Sequence, residues 1–285
     1  MSVTLNLATK TIFDTEVKKV YQEGHSLNGL VRQKSIPDAA SISFPVMGRG
    51  VAYQKAIHAD VIPSNVVHAP VTATMQNWHS AEYTDIFLRG QTAFDEVTEL
   101  AGILRDACGR RLDFILIAAM NAASTTTIAK TVGGANGMNY AKFLKVMETL
   151  DEAGVPADGR TIIMDHAGYR QLLTDDKFIS SDYGQMRLDG NSQGNKKPYL
   201  GFDIVTINSR TETDGSVIGL PISTNDVTCF GFHRDAVGLG MNMDITSSVD
   251  WIAEKQAHLT VVKFSAGAVA IDATGIVKCV YDRTV

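Results

Sequence analysis

Two places in the chain carry residue types suited to acid–base chemistry. His79 and Asp85 lie on one stretch, and His166 follows Asp165. An imidazole beside a carboxylate can take and return a proton near neutral pH. Such pairs also serve as caps and polar turns, and no third group is fixed by their spacing. The seven histidines are scattered, without HExxH or another ligand spacing. Gly48-Arg49-Gly50 and Gly238-Leu239-Gly240 are partial glycine fingerprints. Neither stands between a strand and a helix start with the third glycine that dinucleotide binding requires. There is no phosphate loop and no GxSxG elbow. Asp175 and Asp176 read as a solvated loop. Cys108, Cys229 and Cys279 are odd in number and far apart in sequence, which excludes a disulfide framework and a zinc knuckle. They read as small buried hydrophobes. No catalytic, cofactor-binding or metal-binding residue is expected on these grounds.

The elements around these residues follow from periodicity. Ile12, Phe13, Val17, Val20 and Tyr21 recur at helical spacing in an otherwise polar arm of residues 1–40. Ile42, Phe44 and Val46 alternate with polar positions, as do Val67, Ala69, Val71, Ala73 and Met75, and predict two half-buried strands. Their connection is far longer than a hairpin turn, a length usually tied to function or disorder. Phe94, Val97, Ala101, Leu104, Cys108, Leu112, Ile115 and Ala119 step by three or four. They predict a helix over 92–122, about 46 Å long at 1.5 Å per residue, capped by Thr92. Its stretch Phe114 to Met120 is apolar all round and should be covered on several sides. Glu96, Glu99, Arg105, Asp106, Arg110 and Arg111 read as its exposed face in preference to an inter-subunit salt-bridge ladder.

Residues 121–138 are small, polar and glycine-bearing, and suggest a domain crossing. An α/β block follows. It has a helix around Phe143 to Leu150, a buried strand at Thr161 to Met164, a short helix at Tyr169 to Leu173 and a strand at Phe202 to Ile207. Residues 180–200 read as a glycine-rich polar loop. Val227 to Phe232, Ala236 to Met241, Leu259 to Phe264 and Ala268 to Tyr281 complete a β-rich end. Met75, Met138, Met147 and Met241 read as core filling, and Trp78 and Trp251 as apolar anchors.

Composition bounds what this architecture can do. The chain has 285 residues, 45% hydrophobic and 20% charged, enough for a packed core. Lysine plus arginine total 26 against 31 acids, a net charge of -5, which argues against a free-standing nucleic-acid grip. No apolar run reaches membrane-spanning length, and the mean hydropathy is zero. Met1 to Lys10 contain no apolar signal core, so a cytoplasmic site of synthesis is expected. The arm has few apolar anchors, and an isolated two-stranded ribbon is marginal in water. Other copies of the chain supply the missing cover in the simplest resolution, a homo-oligomer built by arm exchange and hairpin overlap.

The order of parts resembles the major capsid proteins of tailed bacteriophages with the Hong Kong 97-like fold, in particular the compact coat proteins of short-tailed phages. The likeness rests on Ile42-Ser43-Phe44-Pro45-Val46-Met47-Gly48-Arg49, a strand leading to His79, and the long helix after Gly90. It continues through Ala153-Gly154-Val155-Pro156 with Arg160-Thr161-Ile162, Tyr199-Leu200-Gly201-Phe202-Asp203-Ile204, and Phe232-His233-Arg234-Asp235-Ala236-Val237-Gly238. It runs from about Phe13 to Tyr281.

The resemblance implies an α+β fold with residues 1–40 as N-terminal arm and 41–80 as extended loop. Residues 81–130 would be the peripheral domain with its spine helix, 131–245 the axial domain, and 246–285 the return to the peripheral domain. It implies a structural, non-enzymatic protein without cofactor, forming pentamers and hexamers of an icosahedral shell around double-stranded phage DNA, in the virion. A scaffolding protein separate from this chain, a portal and a decoration protein are the partners it suggests, with assembly in the bacterial cytoplasm. Phe44, Pro45, Arg49 and Tyr53 are the expected inter-subunit contacts of the loop. Lys55 lies in the loop, but nothing identifies a cross-linking partner. Two other readings remain at this point. One is an encapsulin-like compartment with the same fold, and the other a cytoplasmic oligomeric enzyme using His79, Asp85 and His166.

Overall fold

The computed structural model of the chain describes residues 24–27, 29–89, 95–176, 196–211 and 217–285. The arm helix expected around Ile12 to Tyr21, the Thr92 cap and most of the 180–200 loop lie outside them. In chain order the first elements are β1 (Arg32–Ser35), β2 (Ser41–Met47), β3 (His68–Thr74), β4 (Gln76–Asp85), the single turn α1 (Ile86–Arg89), the long helix α2 (Glu96–Ala122) and β5 (Thr126–Ile128). Then come α3 (Tyr140–Glu152), β6 (Arg160–Met164), α4 (His166–Thr174), β7 (Lys196–Tyr199) and β8 (Phe202–Thr206). The short β9 (Arg210–Thr211), β10 (Val217–Ile218) and β11 (Ile222–Ser223) precede β12 (Asp226–His233), β13 (Val237–Ile252), β14 (Ala257–Ala270) and β15 (Ile276–Asp282).

Two larger sheets organise the chain. A four-stranded sheet has the order β1-β13-β14-β4, and α2 packs on it. A seven-stranded sheet has the order β5-β15-β12-β6-β8-β7, with β11 paired to β12. In β6 every residue is buried, as expected of a central strand covered on both faces. Helix α3 starts at Asn139, whose side chain accepts from the Lys142 N–H, and its apolar face buries Phe143, Val146 and Leu150. It stops at Gly154, which takes the left-handed φ of 70° that ends a helix cheaply.

The spine helix keeps its expected end and begins at Glu96. Asp95 holds the N-cap position and accepts from Thr98 Oγ1 at 2.6 Å. At 1.5 Å per residue the 27 residues span about 40 Å. Its charged residues are not a simple exposed face. Arg105 alone is exposed; Arg110 is buried and Glu96, Glu99, Asp106 and Arg111 are half-buried. The reason is cover: the sheet lies on one side and the root of the arm crosses another. Ala118 stays exposed, so the apolar run Phe114 to Met120 is covered on several sides but not all round.

The divisions between the two sheets differ from those expected. β5 already belongs to the seven-stranded sheet, and β13 runs through residue 245 as one strand. The C-terminal part splits. β14 pairs with β4, whereas β15 pairs with β12 and β5 and returns to the seven-stranded sheet. The ribbon ends at Thr74, and β4 is a full member of the four-stranded sheet. Cys229 and Cys279, distant in sequence, face each other across β12 and β15. They and Cys108 are buried free thiols.

Candidate intersubunit surfaces

The base of the β2–β3 ribbon is anchored inside its own chain. Residues pair from Ser41 with Thr74 to Met47 with His68, and the Gly48 N–H closes the ladder on Val67 O at 2.8 Å. Ile42, Phe44 and Ala73 are buried with Met75, Val269 and Ile271 against them. The sheet surface beneath is made flat by glycine. A Cβ on Gly238 would lie 2.9 Å from the Phe44 ring, one on Gly240 2.8 Å from Met75 Cε, and one on Gly267 2.1 Å from Thr74 O. The Gly238-Leu239-Gly240 motif is therefore a landing surface for the ribbon.

This geometry separates the four loop residues singled out by sequence. Phe44 is 1% exposed, so its ring is taken up by its own chain and cannot touch a neighbour without undocking the ribbon. Pro45 is exposed on β2, opposite Pro70. Arg49 is exposed, yet its Nη2 donates to Ala153 O at 2.6 Å, at the C-terminal end of α3 where the helix dipole favours a cation. It ties the loop root to the end of α3 in its own chain. Tyr53 is 53% exposed.

Past Arg49 the loop is bare. Val51, Ile57, Val61, Ile62 and Val67 are exposed, Ile57 by 89%. Exposed apolar side chains gathered on one loop make it a candidate interaction surface. A second exposed apolar group lies at the outer end of the four-stranded sheet. Trp251 is not the core anchor expected of it: it is 48% exposed, its ring tilted against His258 with centroids 5.0 Å apart. Tyr83 sits there too, under Lys255 Nζ at 4.0 Å. Trp78 does pack on the core, and Arg111 lies over its ring at 4.8 Å.

The arm root gives the clearest correction. Leu27, Leu30 and Val31 are buried in the main core, and β1 pairs in parallel with β13 of the same chain. Asp113, on the spine helix and 4% exposed, accepts from His25 Nδ1, from the Ser26 N–H at 2.7 Å and from the Leu27 N–H at 3.1 Å. Gly109 lets the arm cross: a Cβ there would meet His25 N at 3.0 Å. From residue 24 onward the arm is thus held by its own subunit, contrary to the expectation that it must lie elsewhere. A carboxylate between Leu112 and Phe114 in an apolar run was the signal of a buried acceptor.

The acid–base candidates are not brought together. His79 and Asp85 are exposed on β4, where Asp85 accepts from the Phe87 N–H at 2.7 Å, while His166 is exposed at the start of α4 beside the other sheet. The Asp165 carboxylate caps that helix by accepting from the His166 N–H. Asp175 is a cap as well, accepting from the Tyr140 N–H at 2.9 Å, so it is no merely solvated residue. Lys142 is fully buried, its ammonium donating to Ala135 O and Gly137 O at 2.6 Å each, and burial lowers its pKa. Burial pushes the Tyr281 hydroxyl well above its ordinary pKa. Among the described residues no cluster of three or more His, Cys, Asp or Glu could hold a metal ion, and no helix is long and apolar enough to cross a membrane.

Comparison with known proteins bears on this architecture. Solved structures share the fold at low identity. The capsid of cyanophage P-SCSP1u matches with a TM-score of 0.72 at 16% identity, covering 95% of this chain and 92% of that one. The head of Helicobacter pylori bacteriophage KHP40 gives 0.75 at 10% identity, covering 99% and 97%. Gordonia phage Cozz gives 0.68 at 16%, covering 96% and 91%. The fold is the Hong Kong 97-like capsid fold. No curated protein matches the chain. Residues 5–283 match the phage capsid protein family. With both sheets, the spine helix and the extended ribbon inside that match, the chain belongs to the phage capsid protein family.

Proposed function

We propose that this major capsid protein assembles into pentamers and hexamers of an icosahedral shell around double-stranded DNA, with each extended loop lying over a neighbouring subunit. The observation that carries the reading is the loop itself: exposed apolar side chains from Val51 to Val67 extend from a ribbon whose base is locked and whose tip finds no cover among the described residues of its own chain. Pro45 and Tyr53 are its proposed direct contacts. Arg49 sets the angle at which the loop leaves, and Phe44 holds the base. Each contact need only be modest, because a closed shell multiplies it. A scaffolding protein, a portal and a decoration protein are proposed partners, and the host cytoplasm the proposed place of assembly.

Family membership favours a phage shell over an encapsulin-like compartment. The separation of His79, Asp85 and His166 leaves the enzyme reading without a site. Deleting residues 48–62 removes the tip and leaves the docked base. The expected result is a soluble subunit that forms no stable shells by electron microscopy. Normal shells from the deletion overturn the role given to the loop.

A further inference from the structure

β12 carries the chain out of the seven-stranded sheet, β13 and β14 form the long pair of the four-stranded sheet, and β15 brings the chain back beside β12. Two cysteines stand at the neck of this excursion. Cys229 on β12 and Cys279 on β15 are directly opposite in the antiparallel register. Such partners share one face of a sheet, with Cα atoms about 4.5 or 5.5 Å apart. A disulfide spans about 4.4–6.8 Å between Cα atoms, so the register alone places the pair within reach of one. The face is the one that α3 covers: a Cβ on Gly231, two residues along from Cys229, would lie 2.5 Å from Val146 Cγ1. The Cys229 thiol is hydrogen-bonded to Cys279, and that bond and burial hold its pKa well above the ordinary thiol value. The two residues are 1% and 0% exposed. Protonated and enclosed, such thiols react slowly and persist in reducing surroundings. Cys108 lies apart on α2, its Sγ donating to Val262 O at 3.7 Å.

We propose that Cys229 and Cys279 are a modification site, a dithiol that closes to a cross-strand disulfide when the folded protein meets an oxidant of the size of hydrogen peroxide. Local opening of the sheet admits the oxidant. One sulfur attacks a peroxide oxygen: an S–O bond forms, the O–O bond breaks, and the departing hydroxide leaves as water with the thiol proton. The other sulfur attacks this sulfenic acid: the S–S bond forms, the S–O bond breaks, and a second water leaves with the second thiol proton. Two thiols and one peroxide thus give one disulfide and two waters, the sulfurs losing two electrons to the peroxide. The bond closes a loop of roughly 50 residues that holds all of β13 and β14. Opening of that long pair then no longer frees β15 from β12, and the unfolded chain loses freedom. The chemistry stands apart from the shell reading, whereas its timing rests on it. A shell built in a reducing host cytoplasm is released into aerated surroundings, where disulfides form and persist.

In the test, the purified full-length subunit is incubated with hydrogen peroxide until no further change occurs, then denatured in iodoacetamide and mapped by mass spectrometry. The expected product is alkylated at Cys108 alone and yields a peptide pair joined through Cys229 and Cys279, and dithiothreitol restores alkylation at all three cysteines. Its urea midpoint should rise by about 1 M and fall back on reduction. Cys279→Ala should show neither the joined peptides nor the rise. Alkylation of all three cysteines after peroxide, sulfinic acid at Cys229 or Cys279, or a bond to Cys108 overturns the proposal, and a bond that leaves the midpoint unchanged overturns the clamp. These outcomes are read on the subunit, so a failure to form shells overturns the shell reading alone. Timing is read on shells from one lysate, half of it alkylated at lysis and half left in air. The bond is expected only in the aerated half, and equal amounts in the two halves overturn the timing.

Discussion

Asp113 shows how one carboxylate can decide where an arm goes. It takes three donors from His25, Ser26 and Leu27 at a place closed to water. Removing it leaves two backbone N–H groups without their acceptor, and each such loss costs about 1–3 kcal/mol. Asp113→Ala should therefore lower subunit stability by about 2–4 kcal/mol in urea unfolding, with faster hydrogen exchange at residues 25–27. Asp113→Asn keeps one acceptor oxygen and should lose less. Tyr281 makes a second residue-scale prediction, in pH. Its hydroxyl accepts from the Asp165 N–H at 3.1 Å, and burial raises its pKa above the ordinary value of 10.0. The unfolded chain ionises this group first, so the folded state binds the extra proton at alkaline pH. Its contribution is complete below pH 10 and is lost as pH rises above it, by about 1.4 kcal/mol per unit. Tyr281→Phe should cost about 1 kcal/mol at pH 7 and flatten the fall in urea midpoint above pH 10. An unchanged alkaline slope would assign that fall to other groups.

At the scale of elements, the ribbon docks because three glycines remove side chains beneath it. Gly267 is the least forgiving, since its added Cβ would strike the backbone oxygen of Thr74, whereas at Gly240 the obstacle is led by the flexible end of Met75. Gly267→Ala should destabilise by about 3 kcal/mol and expose residues 41–75 to limited proteolysis, with Gly240→Ala milder on both measures. This surface also marks where sequence reading stopped. The strands, the spine helix and α3 were legible because each writes its burial into a local period. The two glycines of Gly238-Leu239-Gly240 looked like a failed nucleotide fingerprint, because what they accommodate is more than 160 residues away in the chain. Phe44 was legible as half-buried but not as to whose core it joins. Trp251 misled for the same kind of reason: a large apolar residue announces a need for cover, not whether its own chain provides it. β15 continues the β-rich C-terminal pattern of β14, and only pairing with β12 and β5 shows that it belongs to the other sheet.

At the scale of the whole molecule, fixed joints hold an exposed loop. Arg49 ties the loop root to the end of α3, the glycines hold the ribbon base, and Asp113 holds the arm, so the loop leaves each subunit at a set angle. A heterologous contact closes a ring only if that angle is reproducible from copy to copy. The same economy extends to the contents of the shell. A container must release its genome, and a wall that grips phosphate would hold DNA back. The chain has 31 acidic against 26 basic residues, and Lys130 is already paired to Asp226 at 2.8 Å while Lys278 is bound to the last carbonyls of the spine helix. Non-specific DNA-binding proteins reach dissociation constants of about 1–100 μM at physiological salt by displacing counterions with lysine and arginine. The subunit should fall short of that range: fluorescence anisotropy with a labelled duplex should show no saturable binding below about 100 μM at physiological salt, and only a shallow rise on dilution of the salt. Binding in the low micromolar range with a steep salt slope would instead require a concentrated basic face, and would turn the wall from a passive container into a surface that organises the genome.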